Sequence, residues 1–444
     1  MANNKNTKVP NVPNSTDKGN TIRNVPPSTD KGNAIRNVPP LRFPEFSGEW
    51  KEEQLDSIAT LSKGVGISKE QLSEVGEPCI LYGELYTKYK SEIIKQIESK
   101  TDIDCSKLKR SKANDVIIPC SGETAVDIAT ARCVPFDNIL FGGDLNVISL
   151  HKYDGAFMSY QLNGKRKYDI ARVAQGVSVV HLYGDHLKAI KTYNPTLPEQ
   201  QKIAKLLSLL DERIATQNKI IEDLNKLKSA IIEKLFCSPK DKQPEVRLHG
   251  FSENWQIICL SEICHRIRCK NTEEQCKRVL TIAAQYGLVS QEEFFNKNVA
   301  SENLSGYYLL QNGDFAYNKS YSGDYVWGTV KRLDNYEQGV LSPLYICFRP
   351  DSAKVDSDFL VYYFESKKWH KAVADIAGEG ARNHGLLNIS VIDYFNTIHC
   401  IPSVDEQKQI AQIMSALLSK LAREQRILNC YTTQRQYLLR QMFI

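Results

Sequence analysis

EQQKIAKLLSLLDERI (199–214) and EQKQIAQIMSALLSKL (406–421) are two versions of one helical stretch within a chain of 444 residues. They share Glu, Gln, Ile, Ala, Ser and Leu at equivalent positions, separated by 207 residues. Each follows an apolar residue and a proline, Leu197-Pro198 and Ile401-Pro402. An internal repeat on this scale predicts two copies of one structural plan.

Each repeated stretch opens a long apolar stripe. Positions from 203 to 235 and from 410 to 442 recur in alternating steps of four and three, and eight of ten in each helix are apolar. This is the heptad pattern of a coiled-coil seam. The apolar seam includes Ile203, Leu207, Leu210, Ile214, Ile410 and Leu417.

Four polar residues interrupt the stripes at the same two layers: Gln217 and Lys228 in the first helix, Glu424 and Arg435 in the second. A parallel pairing would place Lys228 against Arg435, two like charges. An antiparallel register that places Lys228 against Glu424 also places Gln217 against Arg435. Polar seam residues often fix register and orientation, so we predict an intramolecular antiparallel coiled coil.

The repeat extends beyond the helices. LRFPEFSGEW (41–50) resembles VRLHGFSENW (246–255), and each is followed by a short helix that begins at a leucine. The predicted order is a globular block (41–196), a spacer helix (197–236), a linker (237–245), a second block (246–400) and a second spacer helix (401–444). The blocks mix short alternating runs, such as DVIIPC (115–120) and NVISL (146–150), with helical segments, such as AFMSYQL (156–162) and 358–376. Because this mixture lacks regular βαβ alternation, it predicts an α/β (α+β-like) fold for each block.

Residues 1–40 contain a tandem repeat, STDKGNTIRNVPP (15–27) and STDKGNAIRNVPP (28–40), which is too polar to form a core. This segment carries six basic and two acidic residues, so it supplies most of the net charge of +5. It is interpreted either as a duplicated flexible linker or as a basic arm that touches DNA. A nucleic-acid function must therefore be argued from architecture and local patches.

Composition predicts a cytoplasmic protein, because no apolar run spans a bilayer and no apolar signal core opens the chain. Four of the twelve cysteines, Cys259, Cys264, Cys269 and Cys276, lie near His265. Their spacing lacks the close pairs of zinc sites, so packing cysteines are favoured over a metal site, and we predict no metal.

Several motifs together resemble the DNA-specificity subunit of type I restriction–modification systems. They are LPEQQKIAKLLSLLDERIATQNKIIEDLNKLKSAIIEKLF (197–236), IPSVDEQKQIAQIMSALLSKL (401–421), the two FxxxW openings, and the tails AQGVSVVHLYGDHLKAI (174–190) and GEGARNHGLLNISVIDYF (378–395). The resemblance covers 41–444. It implies two target-recognition domains, each reading one half of a split, asymmetric DNA site, with the helices setting the gap.

The resemblance also implies partners. Two modification (methyltransferase) subunits would dock on the coiled coil and methylate adenine with S-adenosylmethionine, and ATP-dependent restriction subunits would cut unmodified DNA with Mg²⁺. These cofactors would sit on the partners and none on this chain. The sequence agrees with a non-catalytic reader, since it has neither a phosphate-binding loop nor an N-P-P-F/Y adenine pocket.

Candidate DNA contacts combine hydrogen-bond donors with aromatic or glycine neighbours. In the first block they are Tyr82, Lys88, Lys90, Ser121, Thr124 and the basic turn Lys165, Arg166 and Lys167. In the second they are Lys319, Ser320, Tyr321, Ser322, Arg382, Asn383 and His384. An ordinary β-hairpin explains 318–332 equally, and a solvated surface turn explains 165–167 about as well.

The alternative function is a coiled-coil scaffold that binds proteins and no specific DNA. Loss of duplex binding by the complex would favour it.

Overall fold

The computed structural model describes residues 37–295, 303–320, 325–377 and 385–444. The chain divides into two compact units. Among the described residues, the first unit consists of 37–220 together with Glu424–Ile444, and the second unit consists of Ile221–Arg423. The predicted candidates Tyr321, Ser322, Arg382, Asn383 and His384, and nearly all of the 1–40 arm, lie outside the described residues.

Two long helices carry the repeated stretches and contribute to both units: α7 (Leu197–Leu235) and α13 (Val404–Gln441). Their bounds agree with the predicted spacer helices to within about three residues. The first turn of each contains a glutamate, which suits the positive end of the helix dipole.

The first unit contains short strands and helices in alternating runs. Its strands are β1 (Lys51–Gln54), β2 (Ala59–Lys63), β3 (Leu72–Ser73), β4 (Glu77–Ile80), β5 (Ser99–Thr101), β6 (Lys109–Arg110), β7 (Asp115–Pro119), β8 (Ser121–Gly122), β9 (Arg132–Val134), β10 (Leu140–Phe141), β11 (Leu145–Leu150), β12 (Val180–His181) and β13 (Lys191–Asn194). Its short helices are α1 (Leu55–Ile58), α2 (Glu84–Thr87), α3 (Ala125–Ile128), α4 (Gly155–Asn163), α5 (Lys167–Val173) and α6 (Gly184–Lys188).

A four-stranded sheet, β2-β11-β7-β9, lies at the centre of the first unit. Alternate residues of a strand point to opposite faces, and here both faces are buried. Val116 and Ile118 of β7 join one apolar cluster, while Ile117 joins another. The run DVIIPC is therefore apolar throughout because it separates two cores. A five-stranded sheet, β3-β5-β4-β10-β6, contains a parallel β4–β10 pair.

The second unit repeats this plan. Its strands are β14 (Gln256–Cys259), β15 (Cys264–Arg266), β16 (Leu280–Ala283), β17 (Gly287–Ser290), β18 (Tyr308–Gln311), β19 (Phe315–Asn318), β20 (Thr329–Arg332), β21 (Gln338–Leu341), β22 (Ile346–Pro350) and β23 (Ile398–Ile401). Its short helices are α8 (Leu260–Ile263), α9 (Gln291–Phe295), α10 (Ser357–Glu365), α11 (His370–Ala374) and α12 (Val391–Phe395). The sheet β15-β22-β19-β20 again separates two apolar clusters.

Equivalent strands close the two blocks. β1 pairs antiparallel with β13 in the first unit, and β14 pairs antiparallel with β23 in the second. In both, the chain begins a block next to where it leaves it for a long helix. The sequence repeat is thus also a structural repeat, and the fold class of mixed helix and strand is as predicted.

Individual segments follow the predicted types with one exception. DVIIPC and NVISL lie in strands, and AFMSYQL forms α4. The helical segment 358–376 is two helices, because α10 ends at Glu365 and α11 begins at His370. The Ser366 hydroxyl donates to the carbonyl of Tyr363 at 2.6 Å and accepts from the Lys368 amide at 3.2 Å, contacts that belong to the turn between them. No helix in the described part of the chain is long and apolar enough to cross a membrane.

Candidate nucleic-acid interface

The glutamate of each repeated EQ pair binds an arginine from the opening of its own block. Arg42 donates from Nε and Nη2 to the two carboxylate oxygens of Glu199, both at 2.7 Å. Arg247 binds Glu406 in the same fork at 3.0 and 2.8 Å. Both carboxylates are almost fully buried, so these are charge-assisted, bidentate pairs. They fix each helix start to its block.

The neighbouring glutamine connects the helix to a second element. Gln200 donates to the carbonyl of Pro195 at 2.8 Å and accepts from the amide of Asp154 at 2.9 Å. Gln407 repeats both contacts, with Pro402 and Asp356. Asp154 and Asp356 are the N-caps of α4 and α10. The EQ motif therefore positions the recognition blocks and is itself buried.

An aromatic cluster in each unit receives the end of a long helix. In the first unit Trp50 and Phe157 pack on Phe443, with ring centroids 6.4 and 5.2 Å from it. In the second unit Phe236 packs 5.4 Å from Phe359, in the cluster that contains Trp255. Phe443 lies two residues after the end of the second helix, and Phe236 directly follows the first. Each block therefore holds the start of one helix and the end of the other.

The polar seam residues meet other partners than predicted. Gln217 donates to Glu424 Oε2 at 2.6 Å, and Arg435 binds Asp211 and Glu92. Lys228 binds Glu365 at 3.0 Å. The predicted Lys228–Glu424 and Gln217–Arg435 register is therefore wrong. Charge complementarity between the helices misled the prediction. Lys228 and Arg435 bind Glu365 and Glu92 of the globular blocks, and Arg435 also binds Asp211, which lies on the first long helix outside the predicted seam.

Within the first unit the contact order nevertheless runs in opposite directions along the two helices. Asp211 meets Arg435, and the later residue Gln217 meets the earlier residue Glu424. Gln217 and Glu424 occupy equivalent positions of the repeat. All twenty positions of the two predicted stripes are buried or half-buried.

A groove of about 630 Å³ opens on the surface of the first unit. Three separate elements form it: the start of α2, the β8–α3 turn, and the loop before β12. The Tyr86 hydroxyl donates to the carbonyl of Ser121 at 2.9 Å, and burial raises the pKa of Tyr86. Gly122 is needed there, because a Cβ would lie 2.9 Å from the Tyr86 hydroxyl. The lining includes Tyr82, Tyr86, Ser121, Glu123, Ser178 and Val179.

Exposed rings continue from the groove. Ser121 pairs with His181 across β8 and β12, and their side chains lie 3.5 Å apart. The His181 and Tyr183 rings stack at 6.3 Å, and the Lys63 ammonium lies 5.7 Å from the Tyr183 ring. Tyr183 is 45% exposed. Together with the groove, this surface offers hydroxyls, rings and a cation to a ligand.

The predicted candidates of the first block fall into two groups. Tyr82 and Ser121 line the groove, while Lys90 and Lys165 are exposed. The other four have structural contacts that the sequence did not indicate. Lys88 binds Glu84 and Ser99, both at 2.7 Å. Thr124 is the N-cap of α3 and accepts from the Asp127 amide at 3.1 Å.

Arg166 also serves the fold. Arg166 donates to the carbonyl of Ile444 at 3.1 Å, pairs with Asp169, and packs 5.3 Å from the Tyr193 ring. Lys167 is half-buried at the start of α5. A solvated basic turn therefore describes only Lys165 of this group. DNA contact by any of these residues stays a prediction.

In the second block, β19 and β20 form the hairpin that 318–332 suggested. Tyr317 is buried in it, and its hydroxyl donates to the carbonyl of Trp327 at 2.9 Å. Lys319 accepts at its carbonyl from the Leu387 amide at 2.9 Å, and Ser320 forms a bridge with Leu386. The described ends of the two candidate segments are thus adjacent in the fold.

Sequence reasoning missed the surface around His181 and Tyr183. The stretch VSVVHLYGDH lies in the tail that precedes the first long helix, and none of its residues is among the predicted DNA contacts. The sequence feature that could have indicated this surface is its mixture of valines and histidines with a tyrosine next to a glycine. Only the pairing of β12 with β8 places it beside Ser121.

A family described as "Type I restriction modification DNA specificity domain" matches residues 47–226 and 252–430. The Type I restriction enzyme MjaVIII specificity subunit of Methanocaldococcus jannaschii is 24% identical over 326 residues, 68% of this chain and 72% of that protein. The putative type I restriction enzyme MjaX specificity subunit of the same organism is 24% identical over 224 residues, 48% and 52% of the two chains. The crystal structure of a type I restriction-modification system S subunit from M. genitalium covers 92% of this chain and 99% of its own, with a TM-score of 0.57 and 18% identity, so it shares the fold.

Proposed function

The chain belongs to the family of type I restriction–modification DNA specificity proteins, and from this we propose that it is the subunit that reads a bipartite DNA site for partner enzymes. The observation that carries the proposal is the family match to both halves of the chain. Each half has its own core, its own arginine–glutamate fork and its own aromatic cluster. Two complete readers in one chain suit a site with two different halves.

The long helices supply the distance between the halves. Helices of 39 and 38 residues are each about 57 Å long at 1.5 Å per residue. One turn of duplex DNA is about 34–36 Å. In this proposal the helices pair as one antiparallel coiled coil, and their length sets the number of unread base pairs. The opposite contact order of Asp211–Arg435 and Gln217–Glu424 supports this pairing.

The chemistry belongs to partner subunits in this proposal. Two modification subunits bind the helices and methylate adenine with S-adenosylmethionine. ATP- and Mg²⁺-dependent restriction subunits cut DNA that lacks the mark. This chain contributes affinity and sequence choice, and no catalytic group.

The test is to map adenine methylation in host DNA with and without this gene. We expect a split motif that disappears on deletion and returns with the intact gene. Purified complex with the modification subunits should also bind a duplex containing that motif, with an affinity that falls steeply as salt rises, because phosphate contacts release counterions. A complex that binds no duplex, or a methylation pattern unchanged by deletion, would contradict the function.

A further inference from the structure

The loop before β12 is closed by backbone hydrogen bonds and exposes an apolar tip to solvent. Gln175 and His181 exchange both backbone hydrogen bonds, at 2.9 and 2.6 Å, so residues 175–181 form a closed hairpin. Gly176 has a φ of +124°, and a Cβ there would lie 2.1 Å from the carbonyl oxygen of Val179. Val177 at the tip is 98% exposed, although burying a valine is ordinarily favourable. We call 175–181 the tip hairpin.

The tip hairpin forms one wall of the groove described above. Ser178 and Val179 line the groove opposite Tyr82 and Tyr86, and Val179 is 53% exposed. Hydroxyls, tyrosine rings and the Val179 side chain therefore face one open space, and Val177 stands exposed two residues away on the same hairpin. Such a mixture matches base edges, which present hydrogen-bonding groups beside the thymine methyl group.

The size of the apolar tip favours DNA over a protein partner. Stable protein interfaces bury about 800 Å² on each side, with an apolar core. Here two valines stand next to Ser178, Glu123 and His181, all polar. A single methyl group among hydrogen-bonding atoms is the ligand that fits such a small apolar point.

We propose that the tip hairpin enters a groove of the DNA and that Val177 packs against a thymine methyl group. The half-site read by the first block then contains an A·T pair at that position. The inference rests on the proposed function, and it names Val177 as a specificity-determining residue that the sequence did not single out.

The experiment uses the full chain in complex with its modification subunits. Once methylation mapping has given the motif, synthetic duplexes are made in which each thymine in turn is replaced by deoxyuridine, which lacks only the methyl group. With the wild-type complex, one replacement in one half should weaken binding about fourfold, the value of one buried methyl group. Val177→Ala should weaken binding to the thymine duplex by a similar factor and should be insensitive to that replacement.

Val75→Ala is the matched control, because Val75 is 67% exposed in the same unit but lies outside the tip hairpin. It should keep the full sensitivity to deoxyuridine. Val177→Thr, which keeps one methyl group, should fall between wild type and Val177→Ala. The inference is overturned if every thymine replacement is neutral, or if Val177→Ala retains the wild-type response. In either case motif-specific binding by the wild type would leave the proposed function standing, whereas its absence would remove both.

Discussion

At the residue scale, the decisive contacts are the two arginine–glutamate forks. Glu199 and Glu406 are buried carboxylates, and a buried charge is costly unless it is paired. The two carboxylates differ in one hydrogen bond. Trp50 donates from Nε1 to Glu199 at 3.3 Å, whereas Trp255 Nε1 has no hydrogen-bond partner among the described residues. Glu199 would therefore keep one hydrogen bond if its arginine were removed, whereas Glu406 would not keep the equivalent bond.

This asymmetry predicts that Arg247→Ala destabilises its unit more than Arg42→Ala does. We expect a loss of about 3 kcal/mol for Arg247→Ala, because Glu406 is left buried and unpaired. The loss for Arg42→Ala should be about 1 kcal/mol smaller, since Glu199 keeps the indole bond. Hydrogen exchange of the β14–β23 and β1–β13 peptides would measure each unit separately. Lys202→Ala, which removes an exposed pair with Glu45, is the control and should change little.

A buried histidine predicts how the second unit responds to acid. His399 lies between Tyr363 and Thr397, at 3.0 and 2.8 Å, and burial lowers its pKa from 6.5 to about 4. Between these values the unfolded chain binds a proton that the folded chain does not. The stability is therefore complete above about pH 6.5 and falls as the pH drops toward 4, by roughly 3 kcal/mol in total.

The measurement is hydrogen exchange of the β23 peptide at pH 7.5 and pH 5, corrected for intrinsic rates. His399→Gln should be less stable than wild type at pH 7.5 and should lose less on acidification. His249→Gln, at an exposed histidine, should behave as wild type. An equal acid response in the His399 variant would contradict the assignment.

At the element scale, each long helix serves two blocks. Ile203 at its start packs with Trp50 and Phe157, and Leu235 near the end of the same helix packs in the cluster of Trp255. This crossing explains why the FxxxW opening and the terminal Leu-Phe or Met-Phe pair recur together. In each unit they are parts of one aromatic cluster, although in the first unit Trp50 and Phe443 are 393 residues apart in sequence.

The crossing predicts that Phe443→Ala weakens the first unit and Phe236→Ala the second. Each change should cost about 3 kcal/mol, because it leaves a cavity between well-packed rings. Hydrogen exchange should show faster opening of β1–β13 for Phe443→Ala and of β14–β23 for Phe236→Ala. The opposite assignment, in which each phenylalanine supports the block that precedes it in sequence, would refute the crossing.

The polar contact between the helices gives a sharper test of register. Gln217→Glu would place two carboxylates at a site where Gln217 is only 6% exposed. The melting temperature should fall at pH 7.5 and recover partly at pH 5, because a protonated carboxyl can donate to its neighbour. The double variant Gln217→Glu with Glu424→Gln restores one donor amide and one carboxylate, so it should regain most of the stability. A double variant as weak as the single one would show that these side chains do not meet.

The sequence predicted the helices and the two-block plan because both leave periodic signals. Eight apolar positions in ten define a stripe, and the 207-residue shift pairs the halves without any structure. The register of the two helices and the roles of surface residues were harder to predict. The charges of Lys228 and Glu424 are complementary, so the sequence predicted that they pair. In the structure, Lys228 binds Glu365 of the second block instead. Thr124 and Arg166 have structural contacts, as a helix cap and as a donor to Ile444, which the sequence did not indicate, and their contact with DNA stays a prediction. The position of the tip hairpin beside Ser121 depends on strand pairing across about 60 residues, which no local pattern reports.

At the whole-molecule scale, the two units are assembled differently. The second unit is one continuous segment, Ile221–Arg423, whereas the first combines 37–220 with Glu424–Ile444. The first unit therefore depends on contacts of high sequence separation. Such contacts form late, because the loop between them must be closed first.

The boundary of the amino-terminal arm can be placed from these contacts. The Asn37 carbonyl accepts from the Trp50 amide at 2.7 Å, and the Leu41 amide donates to the carbonyl of Gln441 at 2.9 Å. Arg42 binds Glu199, and Phe43 packs against the cluster of Trp50. Residues 37–50 therefore pack against the first unit, with Pro39 and Trp50 buried, although the sequence suggested that the arm extends to residue 40.

Removal of residues 1–36 should accordingly leave the methylated motif and the stability of both units unchanged, because this polar repeat cannot contribute apolar burial. Removal of residues 1–48 should destabilise the first unit by at least as much as Arg42→Ala, because it also deletes Phe43 and the backbone hydrogen bond from Leu41 to Gln441. The hydrogen-exchange rates of the second unit should not change. The measurements are hydrogen exchange of both units and a map of methylation for each deletion.

A salt series on duplex binding separates the two interpretations of the arm. Loss of its basic residues lowers the salt slope if they touch phosphates and leaves the slope unchanged if the segment is a linker.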